Sequence, residues 1–444
     1  MTSRKDPAHI CHIVPPYLMQ RLSPDALEKD NAIRSARAQH LNSFLGQRPA
    51  PEGGAGADPV EEPTPSEPGD WTVYTAGNGT ELPGEKVRAA GDPESGDESV
   101  DEAADGITGS LALFKEVYGR DSYDGRGVEV VMTVHYDQDY ANAFWDGTQL
   151  VFGDGDGEIF QRFTKAVDVI GHELSHAVTE HTAGLVYEGQ SGALNEHISD
   201  VYGSCLKQRL LGQSAEEADW IIGEGLFTES VQGVGLRHML EPGTAYDDPN
   251  LGKDPQPAHM DDIYEGTDDN GGVHINSGIP NRAFALAAKA IGGNSWDGAG
   301  KIWYAALTNG SVTTDSDFAG FAAATVAEAG DQAEAVTTAW SEVGVTAAEG
   351  NPGPDGEEPT PTVVKVRRSG GFLGRTKEGA AELAPEDAHV ATVRDLVSGG
   401  AAASKPKGAD RYVYEFEVDG QTAVVHEGDL TPELHELANK LLEK

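Results

Sequence analysis

Cysteine is almost absent. Cys11 and Cys205 are the two in 444 residues, which excludes a disulfide framework and leaves stability to packing and bound metal. Long apolar runs are missing too: nothing approaches the ~20 residues of a membrane-spanning helix. The start, Met1-Thr2-Ser3-Arg4-Lys5-Asp6, carries basic residues with no apolar stretch behind them, so no Sec-type signal is expected and either export by another route or a cytoplasmic location is open. Basic residues are scarce, with 32 Lys and Arg against 74 Asp and Glu and a formal net charge of −42. That excess disfavours nucleic acid and anionic membranes as partners and fits a soluble chain, expected to be monomeric. Hydrophobic content is a low 38%, and the 55 glycines and 24 prolines concentrate in particular stretches, a pattern of folded parts joined by linkers.

What is present falls into six segments. Residues 1–47 hold the compact patch Cys11-His12-Ile13-Val14-Pro15-Pro16-Tyr17-Leu18 and an amphipathic helical stretch from Pro24 to Leu45. Two adjacent prolines fix an extended backbone suited to lying along another surface, and a short folded piece ahead of the Pro/Gly/Glu-rich 48–70 reads as a removable pro-segment. Residues 71–165 show strand patterns at Trp71–Tyr74 and Val128–Val134, an Asp124-Gly125 turn signal and one helix, Ser99–Tyr118, and form a β-rich lobe. Helical periodicity dominates 166–349, with helices expected at the His172 motif, from Gly192 to Leu211, from near Ile279, near Trp296–Asn309 and over Asp315–Val343. A second linker, 350–361, precedes an α+β module at 362–444. In it Val363–Arg367 and Tyr412–Val418 read as strands, Val418-Asp419-Gly420-Gln421 as a hairpin turn, and Asp387–Val397 and Pro432–Lys444 as helices.

The chemistry gathers at His172-Glu173-Leu174-Ser175-His176. On a helix the two histidines stand four apart on one face, so their imidazoles can reach a single Zn²⁺ with Glu173 beside the open coordination position. A catalytic zinc needs a third protein ligand, and Glu196 lies 20 positions after His176, enough for a turn and an antiparallel helix. Asp200, one turn further, is placed to accept the free ring N–H of a ligand histidine.

Several ordered motifs point to one family. His172–Thr179, Thr182–Tyr187, Ser191–Glu196, Ile198–Asp200, Asn142–Trp145 and Asp269–Gly278 together resemble the thermolysin-like (M4) metalloproteases over residues 71–347. The resemblance implies His172, His176 and Glu196 as zinc ligands, Glu173 as the base acting on the attacking water, and Asn195 and Asp200 as partners behind the ligands. It also implies His274 and Tyr187 as oxyanion donors, Asp269 as the residue that orients His274, and Asn142, Ala143 and Arg237 as the groups that hold an extended peptide. A bulky apolar residue after the scissile bond is the specificity expected.

Where the family has a double calcium site, Asp168, Asp219 and Glu224 match, while Lys207 and Ile221 stand at carboxylate positions. An ammonium there repels Ca²⁺, so the two-ion site is expected to be lost. Gly153–Glu158 does not continue as an EF-hand, since Ile159 and Lys165 occupy ligand or turn positions. His135, His181, His197, His238 and His259 read as packed or surface histidines, and Cys205 as a small buried residue.

Cys11–Leu18 resembles the short pro-segment of protealysin-like members of the same family, a chaperone and inhibitor in cis. Two ways of blocking the site are open: the Cys11 thiolate as a further zinc ligand, or Pro-Pro-Tyr-Leu filling apolar subsites unaided. Val364–Gly374 resembles emfourin-type proteins, small inhibitors of protealysin-like enzymes, which implies that the module restrains the site in cis through Phe372 and Leu373. The expected protein is an α+β, two-lobed zinc endopeptidase with a β-rich lobe, a helical lobe and a cleft between. The rival from another class is a silent peptide-capturing scaffold, against which the intact Glu173, Tyr187 and His274 argue.

Overall fold

The computed structural model describes residues 11–23, 25–33, 35, 70–347, 362–370, 376–383, 393, 412–418, 421–426 and 430–442. The chain divides into two compact units, Met1–Glu349 and Gly350–Lys444.

In the first unit a six-stranded sheet runs in the order β1 (Cys11–His12), β5 (Ala143–Trp145), β6 (Leu150–Phe152), β4 (Val130–Val134), β2 (Trp71–Thr75), β3 (Glu85–Ala89). Strands β2, β4 and β6 are parallel, while β1, β5 and β3 join antiparallel. The tight β5–β6 hairpin is set by Asp146, whose Oδ1 accepts from the Thr148 and Gln149 backbone N–H groups at 2.9 and 3.0 Å, an Asx turn. The outer edge of β5 pairs with β1, with Cys11 opposite Trp145 and His12 opposite Phe144. The double proline was expected to enforce an extended strip. Instead Pro15 caps a short helix, Pro16–Leu22, with Pro at its first turn where a missing N–H costs nothing, and the extended strip is the residues before it. Residues 25–33 and 35 are also helical; the remainder of the expected helix from Pro24 to Leu45 lies outside the described residues.

Behind the sheet runs helix Glu98–Tyr118, started by Asp97, which accepts from the Ser99 and Val100 N–H groups, and ended by Gly119 at φ 70° in the left-handed cap position. The motif helix, Val167–Glu180, and the helix after it, Gly189–Leu211, pack against each other through glycines. A Cβ on Gly203 would stand 2.4 Å from the Asp168 carbonyl oxygen, and one on Gly171 would stand 3.0 Å from the Gly203 Cα. Further helices complete the lobe: Asp268–Asn276, Gly278–Ile291, Ala299–Thr308, Phe318–Glu328 and Ala333–Glu342. The expected helical span Asp315–Val343 is interrupted by a 3-10 turn at Gly330–Gln332. One apolar core unites both lobes and includes Ile13, Val14, Leu18 and Met19.

The second unit is a four-stranded antiparallel sheet, Lys377–Leu383, Thr362–Gly370, Tyr412–Val418, Gln421–His426 in spatial order, with helix Pro432–Leu442. Val364, Val366, Tyr414, Phe416, Leu437 and Leu441 form its own core. Phe372, Leu373 and the expected helix at Asp387–Val397, apart from the helical residue 393, lie outside the described residues.

Candidate active site

The motif helix carries His172 and His176 on one face with their Nε2 atoms 3.0 Å apart, and Glu196 brings its carboxylate oxygens to 3.5 Å from each. Among the described residues this is the group of donor atoms that can hold a metal ion. Each imidazole is fixed from behind. His172 Nδ1 donates to Asp200 Oδ1 at 2.9 Å and His176 Nδ1 to Asn195 Oδ1 at 2.8 Å, so both Nε2 atoms present lone pairs to the same point. The Glu196 Oε2 is buried without a hydrogen-bond partner. Two lone pairs and a carboxylate facing one another demand a cation, and the separations match the edges of a tetrahedron with ligands at about 2.0–2.1 Å. The donor set therefore fits zinc. Burial pushes His176 down to about 3; burial works against the Glu196 charge, yet His274, His176 and His172 hold that carboxyl down to about 2.

Asp200 does more than steer His172. Arg237 grips it in a bidentate pair, Nε to Oδ2 at 2.8 Å and Nη2 to Oδ1 at 2.7 Å, and Asn281 Nδ2 adds a bond to Oδ2 at 2.8 Å. Burial opposes the charge on this carboxylate, but Arg237 and His172 more than offset that and hold its pKa far below the usual range. His197, beside Glu196, is a packed histidine as expected. Trp303 Nε1 donates to its Nε2, and its Nδ1 donates to Asn281 Oδ1, both at 2.8 Å. This directed chain, Trp303 to His197 to Asn281 to Asp200, was not foreseen, nor was Ser199, whose hydroxyl lies 3.1 Å from His176 Nδ1.

Glu173 is fully buried on the same helix. Across the cleft His274 Nε2 lies 3.2 Å from the Tyr187 hydroxyl, and Tyr187 also donates a very short bond to Glu196. Asp269 holds His274 twice, through its Nδ1 at 2.6 Å and its backbone N–H at 2.9 Å. To do so the chain turns left-handed at four successive residues, Asp269 (φ 57°), Asn270 (52°), Gly271 (79°) and Gly272 (79°). Glycine is required at Gly272, where a Cβ would lie 2.6 Å from the Tyr264 ring. Burial alone lowers the His274 pKa, but Asp269 and Glu196 outweigh it and the net shift is upward.

The groups expected to hold a peptide are engaged by the N-terminal segment. The Ile13 N–H donates to Ala143 O at 3.1 Å, and Val14 exchanges two bonds with the Asn142 amide, at 2.9 and 3.2 Å. Arg237 Nη1 donates to Ile13 O at 3.1 Å and His274 Nε2 to His12 O at 2.8 Å. Cys11 stands outside the converging donor atoms and packs on Tyr187 and Val273. Ile13 and Val14 are both fully buried and belong to the main apolar core with Leu18.

At the expected calcium position, Asp168, Asp219 and Glu224 are not gathered into a metal-holding group. The Lys207 ammonium sits there instead, 2.8 Å from Asp219 and 2.9 Å from Glu224, with the Ile221 carbonyl at 3.3 Å. The position thus holds a side-chain cation between two carboxylates. Burial pushes the neighbouring Asp168 carboxyl up to about 6 in spite of Lys207.

A helix-borne zinc triad in a cleft between a sheet lobe and a helical lobe defines a metallopeptidase. The comparisons agree: the model for the thermolysin metallopeptidase catalytic domain matches residues 69–180, and that for its α-helical domain residues 183–345. An extracellular metalloprotease of Pectobacterium carotovorum subsp. carotovorum is 46% identical over 342 residues, 76% of this chain and 96% of that protein. Protease PrtS of Photorhabdus sp. (strain Az29) is 45% identical over 346 residues, 76% of this chain and 92% of that one. The solved precursor of protealysin, a metalloproteinase from Serratia proteamaculans, superposes with a TM-score of 0.65 at 46% identity, covering 76% of this chain and all of that one. The chain belongs to the thermolysin-like (M4) family, in its protealysin-type branch, and is a zinc metalloendopeptidase.

Proposed function

We propose that this enzyme cleaves internal peptide bonds, preferring a bulky apolar residue after the scissile bond, and that it is made as a latent precursor whose residues 1–47 are the pro-segment. A bound Zn²⁺ supplies a Lewis acid and lowers the pKa of a water molecule. Glu173 takes the proton from the attacking water and delivers it to the departing amide nitrogen. His274, oriented by the Asp269 carboxylate at its Nδ1, and Tyr187 donate to the oxygen on which negative charge develops, and one such donor is typically worth about 3 kcal/mol. Asn142, Ala143 and Arg237 hold the peptide backbone in register. The observation that carries this reading is the convergence of two orphan imidazole lone pairs and a buried carboxylate on one point, beside Glu173.

The name of the Pectobacterium relative supports an extracellular site of action. The likeness of residues 362–444 to emfourin-type inhibitors supports restraint of the active site by this module in cis, with Phe372 and Leu373 as the inserting residues. One experiment tests the scheme: casein hydrolysis by the activated wild-type chain, by Glu173→Ala and by a chain truncated at Gly350, each with and without a zinc chelator. Activity is expected only without chelator and with Glu173, and should rise on truncation. Hydrolysis surviving Glu173→Ala or zinc removal defeats the peptidase scheme; unchanged activity on truncation defeats the restraint.

A further inference from the structure

The N-terminal segment does not merely cover the cleft. Its backbone meets the groups expected to hold an extended substrate, Asn142, Ala143 and Arg237, and the carbonyl that meets the oxyanion donor His274 is that of His12, at 2.8 Å. The next carbonyl, of Ile13, goes to Arg237, and the next amide, of Val14, to Asn142. The peptide bond in reacting register is therefore His12–Ile13. A segment so placed in an endopeptidase is a substrate unless something prevents its turnover.

The flanking contacts show what does. The His12 imidazole, fully buried and stacked on Phe144 at 5.0 Å between ring centres, bonds through Nδ1 to the fully buried carboxylate of Asp30 at 2.8 Å. Asp30 is held in turn by the Tyr140 hydroxyl at 3.1 Å and the Asn142 amide at 3.2 Å. The helical stretch bearing it is fixed on the sheet lobe by Ile33, buried with Tyr136, Tyr140 and Phe144, and by Lys29, paired with Asp137 at 3.0 Å. His12 lies before the bond in register and Asp30 after it. The pair thus bridges the two fragments that a cut would create.

We propose that Asp30 makes the pro-segment an inhibitor instead of a substrate, by clamping the His12–Ile13 bond across the active site. This inference rests on the peptidase reading above. Hydrolysis there adds one water: the oxygen goes to the His12 carbonyl carbon, leaving an α-carboxylate, and both protons go to the Ile13 nitrogen, leaving an α-ammonium. With the clamp intact the new ends stay side by side, the fragment ending at His12 does not leave, and the bond reforms by the reverse, the Ile13 nitrogen giving back two protons and the His12 carboxylate one oxygen as the same single water. Asp30 is a positioning residue that acts through His12 and Asn142 and touches no reacting atom.

The test follows residues 1–12 by mass spectrometry in zinc-loaded full-length chains. Losing one partner of a buried hydrogen-bonded pair acts mainly on dissociation, so Asp30→Asn should release the fragment ending at His12 about tenfold or more faster than wild type. His12→Phe, which keeps the ring on Phe144, should do the same, and the double variant should be no faster than either single one. Hydrogen exchange on Glu173→Ala and on Glu173→Ala/Asp30→Asn should show the Ile13 and Phe144 amides equally protected, so that docking survives. The proposal fails if Asp30→Asn keeps the bond as wild type does. It fails equally if that variant gains activity with the bond uncut, if wild type sheds the fragment as fast, or if protection at those amides is lost. Activated chains without any casein hydrolysis would instead refute the peptidase reading.

Discussion

Asp200 shows how much one side chain carries in this site. Its two oxygens serve His172, Arg237 and Asn281 at 2.7–2.9 Å with no solvent contact. Asp200→Ala leaves a buried guanidinium without its counter-charge, a loss typically of about 3–5 kcal/mol, and frees the His172 ring, which typically weakens a metal site about 10–100-fold. Denaturant unfolding and chelator competition should show both losses. Asp168 acts through pH. Its carboxyl is pushed by burial from 3.8 up to about 6, so between those values the folded chain binds more protons than the unfolded one, and stability from this group falls as pH rises through that window. Asp168→Asn removes the titration. Relative to wild type, the variant should gain on the order of 2–3 kcal/mol between pH 4 and pH 7.5, read from unfolding curves at both pH values; a constant difference would refute the assignment. His172, His176 and Glu196 were legible in the sequence because helical spacing alone sets the first two and one turn places the third. Asn281 and Asp30 were not, because a partner 81 or 110 residues away along the chain, as Asn281 is from Asp200 and Asp30 from Tyr140, has no local pattern.

At the scale of elements, the zinc triad depends on how closely two helices approach. His172 and His176 come from one and Glu196 from the other, so the separation of the helices becomes the separation of ligands. Gly171 and Gly203 permit it: the 2.4 Å approach of a Cβ on Gly203 would be to backbone, the Asp168 carbonyl oxygen, which cannot rotate away. Gly203→Ala should force the helices apart at a cost of about 1–3 kcal/mol. Because Glu196 lies two turns earlier on the displaced helix, zinc affinity should fall as well. A thermal melt with and without zinc separates the two effects: the variant should gain less from the metal than wild type does. The helices themselves were readable from periodicity, since Glu98–Tyr118 and Gly189–Leu211 begin and end within a few residues of the expected positions. Strands β3 and β6 were missed. β3 has three exposed residues among five and no apolar alternation to mark it, and β6 is three residues long, too short for a period to show. The added strand β1 also escaped notice, because a two-residue strand exists only through its partner.

The whole molecule sets its electrostatics against its packing. The formal charge of −42 is spread over a chain in which, among the described residues, the fully sealed pair Arg237–Asp200 serves the active site, while Lys207–Asp219 is partly open to solvent. The two-unit division was readable from the Gly/Pro/Glu composition of 350–361, because a stretch unable to bury apolar surface has to connect bodies that can. Each unit then has its own core. The like charge left on the surface repels itself in the compact state more than in the expanded one, and salt weakens that repulsion, with a screening length of about 10 Å at 0.1 M and about 3 Å at 1 M. Favourable surface pairs such as Lys301–Asp297 and Lys289–Glu216 are weakened too, but each is worth only about 0–1 kcal/mol, and acidic groups without a cationic neighbour outnumber them. Repulsion therefore decides the sign. Raising sodium chloride from about 0.05 to 1 M should raise the melting temperature of the first unit by a few degrees, a gain of about 1 kcal/mol for a body of this size. The Asp200–Arg237 pair, sealed from solvent, should respond little, so the metal affinity measured alongside should stay flat. A melting temperature that falls with salt would mean that surface ion pairs, rather than net charge, govern the stability of this enzyme.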